Sequence, residues 1–111
     1  MAVCQKTISR NGYEVISPSP NMLYMVIETF KNGGEPVYKR FREQGRMMPD
    51  GLKYINSWIE PNFERCFQVM ETDNFDLFEQ WTANWDDLME FEIVPVITSP
   101  EARELMAERD R

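Results

Sequence analysis

Met22-Leu-Tyr-Met-Val-Ile-Glu-Thr-Phe30 is a nearly continuous apolar run, closed by Lys31-Asn32-Gly33-Gly34. A run this short, rich in strand formers and ended by paired glycines, reads as a strand buried on both faces and therefore central in a sheet. Downstream of it, Pro36 suits a first helical turn, Val37, Tyr38 and Phe41 recur at helical spacing, and Gly45 is a candidate C-terminal cap. A helix from about Pro36 to Arg46 is predicted. Pro49-Asp50-Gly51 then makes a turn.

Leu52 to Glu60 and Arg65 to Glu71 are two strand-like runs, and Pro61-Asn62-Phe63-Glu64 between them has the spacing of a hairpin loop. That loop sets Trp58 opposite Phe67. The same register puts Tyr54, Asn56, Trp58, Phe67 and Val69 on one face and Ile55, Ser57, Ile59, Cys66, Gln68 and Met70 on the other. Next, Asp73 is the expected cap of an amphipathic helix, with Asp76 in its first turn and Phe75, Phe78, Trp81, Trp85 and Leu88 stepping along one stripe. Phe91 to Ile97 returns to strand character, and Pro95 within it, unable to donate to a ladder, assigns it to an edge. Ser99-Pro100-Glu101 starts a short terminal helix with Ala102, Leu105 and Met106 as its apolar stripe.

The order strand, helix, strand, strand, helix, strand is that of the split βαββαβ (ferredoxin-like) fold. This α+β class has a four-stranded antiparallel sheet with two helices on one face. The domain is expected over residues 22–98, after a flexible leader at 1–21 and before a helical tail at 99–111. Both strand faces carry bulky apolar groups while the helices cover only one, so a homodimer formed sheet to sheet, a dimeric α/β barrel, is expected.

With 42% hydrophobic residues, including seven Phe, four Tyr and three Trp, the 111-residue chain fills a single core without staples. Cys4 and Cys66 follow no ligand spacing and read as reduced thiols, which points to the cytoplasm. A formal charge of −7 argues against a phosphate-backbone partner, so no nucleic acid is expected. No apolar run is long enough to cross a membrane as a helix. The absence of histidine removes Ser-His-Asp and Cys-His nucleophile systems and imidazole-ligated metal from the chain's own chemistry; neither a metal nor a cofactor is expected.

Met22 to Phe30, Gly45-Arg-Met-Met-Pro-Asp-Gly-Leu52, Ser57-Trp-Ile-Glu60, Arg65-Cys-Phe-Gln-Val-Met-Glu-Thr72 and Phe91-Glu-Ile-Val-Pro-Val96 together resemble the bacterial family catalogued as domain of unknown function 3303. The resemblance runs from about Met22 to Ile97. It implies an architecture of the dimeric α/β-barrel type, shared by cofactor-free monooxygenases, small isomerases and haem-degrading enzymes, and so does not select an activity.

Candidate chemistry follows from a few residues. Glu28, set in the apolar strand, is a candidate acid or base if its pocket raises its pKa; the plain alternative is a strand-end carboxylate reaching solvent or an arginine. Lys39, Arg40, Arg42 and Arg46, with Arg65 at a strand start, are candidates for holding an anion, against the alternative of a solvated helix face. Eight acidic residues and no Lys or Arg lie between Glu71 and Glu92, a surface for a basic partner or simply for solubility. The Phe75, Phe78, Trp81 and Trp85 stripe reads as core, and Cys66 as an inert thiol.

Three functions remain open. In the first, an accessory domain binds a small apolar or aromatic molecule between sheets, lined by Tyr24, Glu28, Asn56, Trp58, Arg65 and Gln68. In the second, a cofactor-independent monooxygenase- or isomerase-like enzyme uses Glu28 or Glu60 as base and Arg65 or Asn56 as electrostatic stabiliser. The third is a protein-interaction or assembly factor that uses its acidic face.

Overall fold

The computed structural model describes residues 22–110, and the expected leader at 1–21 lies outside them. The elements run β1 (Met22–Phe30), α1 (Gly34–Gln44), β2 (Lys53–Ile59), β3 (Arg65–Thr72), α2 (Asp76–Thr82), β4 (Met89–Val96) and α3 (Ser99–Arg109). The four strands form one antiparallel sheet in the order β2-β3-β1-β4, the α+β ferredoxin-like arrangement. β1 is central, and β4 with Pro95 is an edge, as its missing N–H requires.

Alternation along β1 puts Tyr24, Val26, Glu28 and Phe30 under the helices, all buried. Leu23, Met25 and Ile27 point the other way and are only half-buried in the single chain, so the expectation of a strand buried on both faces holds for one face. Phe78 and Trp81 of α2, Val37 of α1 and Met70 of β3 complete the core on the covered side. α1 ends as its glycine predicts: Gly45 adopts φ 70°, in the left-handed region, and its N–H donates to Phe41 O at 2.8 Å.

Trp58 does face Phe67, but the register slips by one residue between Tyr54 and Asn56. Ile55 is the extra residue of a bulge, and it returns Tyr54 to the covered side opposite Met70. The expected placement of Tyr54 with Asn56 and of Ile55 with Ser57 is thereby corrected. The contact between Tyr54 Oη and Ser57 Oγ at 2.6 Å confirms that these two share a face.

The second helix is shorter than its stripe suggests. Asp73 does not cap it; Phe75 occupies the cap position without a side-chain bond, and Asn74 Oδ1 accepts from Asp76 N at 3.1 Å. After Thr82 the chain continues in turns that carry Trp85 inward. α3 is capped by Thr98 rather than by Ser99: Thr98 Oγ1 accepts from Glu101 N, and the Glu101 carboxylate accepts from Thr98 N. Of its expected stripe, Leu105 and Met106 are exposed and Ala102 is half-buried.

Candidate functional site

Between the covered face of the sheet and the two helices lies a cavity of about 120 Å³. Its walls are Phe30, Val37, Tyr38, Trp81, Trp85 and Met89, and into this apolar shell converge Glu28, Gln68, Cys66, Ser57 and Arg46. Strand parity explains the polar floor. Glu28 pairs with Cys66 across the ladder, and Val26 with Gln68, so all four side chains fall on the helix side.

Glu28 is only 4% exposed. Gln68 Nε2 donates to its Oε2 at 2.5 Å, and the Cys66 thiol also bonds to the carboxyl. Burial lifts the Glu28 pKa from 4.5 to about 7, outweighing the Cys66 and Gln68 hydrogen bonds and the Arg46 charge, which all pull it down. At neutral pH this carboxyl is poised to give or take a proton. Burial, with the Glu28 charge behind it, pushes the Cys66 thiol up to about 12, so Cys66 stays a protonated donor and is no nucleophile near neutrality. Gln68 Oε1 is buried without a hydrogen-bond partner. A half-turn of the amide would present this carbonyl to a protonated Glu28, so one side chain can serve both protonation states of its neighbour.

Arg46 reaches the cavity from the loop after α1. Gly45 at φ 70° and Met47 at φ 58° turn the backbone on either side of it. Its carbonyl accepts both indole N–H groups, Trp81 Nε1 and Trp85 Nε1, each at 3.0 Å. Asn84 Nδ2 secures the next carbonyl, Met47 O, at 3.2 Å. The guanidinium then lies over the Tyr54 ring, 3.7 Å from its centroid, a stacking made available by the bulge.

The structure divides the candidate ligand residues between two faces. Glu28 and Gln68 line the cavity together. Tyr24 shares their face but packs farther along against Phe75 and Phe78, with ring centroids 5.5 and 5.1 Å away. Asn56, Trp58 and Arg65 lie on the opposite, uncovered face. Glu60 sits at the hairpin, where Arg65 donates to both its oxygens and holds its carboxyl below the usual range. Among the basic candidates, Arg40 forms a two-pronged pair with Asp87 and Lys39 pairs with Glu43, while Arg46 alone joins the cavity lining. Asp87 is thus answered by α1 despite the acidic sequence around it.

Ser57 and Tyr38 gave no sequence signal as lining residues, and Trp81 and Trp85, which could have suggested an aromatic ligand box, read as core. The indoles signalled core, which they also are, and only the long-range turn of the 45–48 segment onto them makes a cavity wall. No group of His, Cys, Asp or Glu suited to a metal occurs among the described residues, and none of their helices is long and apolar enough to cross a membrane.

The profile of a family described as "Domain of unknown function (DUF3303)" matches residues 22–110. No curated protein and no solved structure matches the chain.

Proposed function

The chain belongs to the family of domains of unknown function DUF3303, and we propose that it binds a small, largely apolar molecule beneath its helices and exchanges a proton with it through Glu28. The observation that carries this reading is the convergence of Glu28, Gln68 and Arg46 on one apolar cavity. A carboxylate here takes a proton from a carbon beside a carbonyl and returns it at a second position, an isomerisation that needs no other reactant. Gln68 follows Glu28 through both states, and the aromatic walls keep water from the exchanging proton.

Native mass spectrometry of gently purified full-length protein tests the binding step. A retained small molecule in the wild type, absent from Val37→Trp, which fills the cavity, is the expected result. A retained mass that survives Val37→Trp lies elsewhere and refutes the cavity. For the proton step, the ¹³C carboxyl signal of Glu28 should titrate near pH 7 and move when ligand binds.

A second observation favours self-association. Trp58 is 56% exposed beside Leu23, Met25, Ile27, Phe67 and Val69 on the uncovered face. On that face the β4 side carries Glu90 and Glu92, while on the β2–β3 side Lys53 stands opposite Glu71 and Arg65 is paired with Glu60. The apolar centre of this face, left uncovered by the helices, supports a sheet-to-sheet homodimer in which two copies cover each other's strands. A reducing, cytoplasmic setting accords with the free thiol of Cys66.

A further inference from the structure

Most of the candidate cations are already spent. Lys39 is paired with Glu43, Arg40 with Asp87 and Arg65 with Glu60, each at 2.8 Å. Arg46 has no carboxylate partner among the described residues, in a chain with 19 acidic residues against 12 basic. It is nonetheless the most firmly placed of the four, its carbonyl held by two indoles and its guanidinium laid on Tyr54, with the Phe41 ring 5.2 Å away. Two left-handed residues flank it, and for Met47 that conformation carries a steric cost. A side chain held this way, against aromatic faces and without an ion-pair partner among the described residues, offers its donor fork to whatever enters the cavity.

We propose that Arg46 is the anion-recognition group of this cavity, and that its ligand is a small planar carboxylate of about the size of benzoate. The proposal rests on the cavity reading above and adds the ligand's charge. Its carboxylate meets Arg46 at the rim, its ring lies along Trp81 and Trp85, and the far edge reaches Glu28. The 120 Å³ volume bounds the size: it is somewhat less than the roughly 150 Å³ that encloses a benzene ring, so the ligand is no larger than a single ring whose carboxylate edge stays in the open rim. The charge follows from unspent valence: Arg46 has no carboxylate in ion-pairing reach among the described residues and its donor fork is open, whereas Glu28 already accepts from Gln68.

Three probes of one shape test this on the ¹⁵N-labelled full-length chain: benzoate, neutral benzamide and benzylammonium. The readout is the indole N–H signals, where Trp81 and Trp85 report the cavity and Trp58, on the opposite face, is an internal control. Benzoate should shift the first two and bind at least tenfold more tightly than benzamide. Arg46→Gln should abolish that preference, and Arg46→Lys should keep part of it; both spare the carbonyl that anchors the loop. If Trp81 and Trp85 shift equally with benzamide or benzylammonium, the cavity stands and the anion assignment falls. If no probe moves those two signals, or only Trp58 responds, the cavity reading falls and takes the assignment with it.

Discussion

Replacing Glu28 with glutamine should stabilise the protein, by an amount that grows as pH rises from 4.5 and is complete above about 7. Burial raises the folded-state pKa from 4.5 to about 7, so the folded chain holds this proton more tightly than the unfolded one. Below pH 4.5 both states are protonated and the group costs nothing. As pH climbs to about 7 the unfolded chain ionises first and stability drains away, until above that value the full penalty stands. The gap of roughly 2.5 units, at about 1.4 kcal/mol each, amounts to about 3 kcal/mol. The substituted amide would remain neutral and could accept from Gln68 Nε2 while donating to the otherwise unpaired Gln68 Oε1. Urea denaturation of both proteins at pH 5 and pH 8.5 isolates the effect, because the other groups titrate alike and cancel in the difference. The groups facing Glu28 are Cys66 and Gln68 from β3, Arg46 from the loop and, more weakly, Tyr38 from α1. Near-equal stabilities at pH 5, with the variant ahead by about 2–3 kcal/mol at pH 8.5, are expected. A difference that does not change with pH would refute a desolvated Glu28 and with it the proton-transfer role.

Met70→Ala, at a fully buried position of β3, should cost about 2–5 kcal/mol in the same assay, because the well-packed covered face cannot collapse into the gap. Trp58→Asp should leave the fold intact by circular dichroism while light scattering on a sizing column shows a dimer reduced to a monomer; an unchanged mass would leave the uncovered face without its assigned partner. Thr98→Ala removes the hydroxyl half of a capping box, leaving the bond from the backbone N–H of residue 98 to Glu101, and should speed amide exchange across Ser99–Arg109, a loss of about 1 kcal/mol in local helix stability. The unfolding midpoint of the sheet should not move, since α3 buries no residue.

What the sequence revealed and what it hid differ for physical reasons. The central strand, the hairpin and the edge position of Pro95 are local or pairwise facts, written in runs of apolar residues, loop length and a missing N–H. Glu28 was visible as a candidate because a lone carboxylate in an apolar strand must either escape or be accommodated. The bulge was invisible: Ile55 is a good strand former, and nothing at that position announces an extra residue. Its consequence was large, because a one-residue slip exchanges faces and brought Tyr54 beneath Arg46. Asn56, Trp58 and Arg65 were grouped with Glu28 by residue chemistry, while strand parity puts them across the sheet. The stripe from Phe75 to Leu88 satisfied a helical period, yet a helix ending at Thr82 followed by turns buries Trp81 and Trp85 equally well. Period alone does not tell these apart.

Two indoles sharing one backbone carbonyl also govern when the site comes into being. Arg46 follows α1 directly, but its carbonyl is fastened to residues 35 and 39 positions later in the chain. The floor is supplied by the first strand and the hairpin, whereas the rim waits for the segment from Trp81 onward. Any partly folded chain in which that segment has not yet docked can possess a sheet and a helix and still have no cavity. Ligand binding would therefore report on that long-range closure, and a compound that fits the cavity would stabilise the closed fold by mass action.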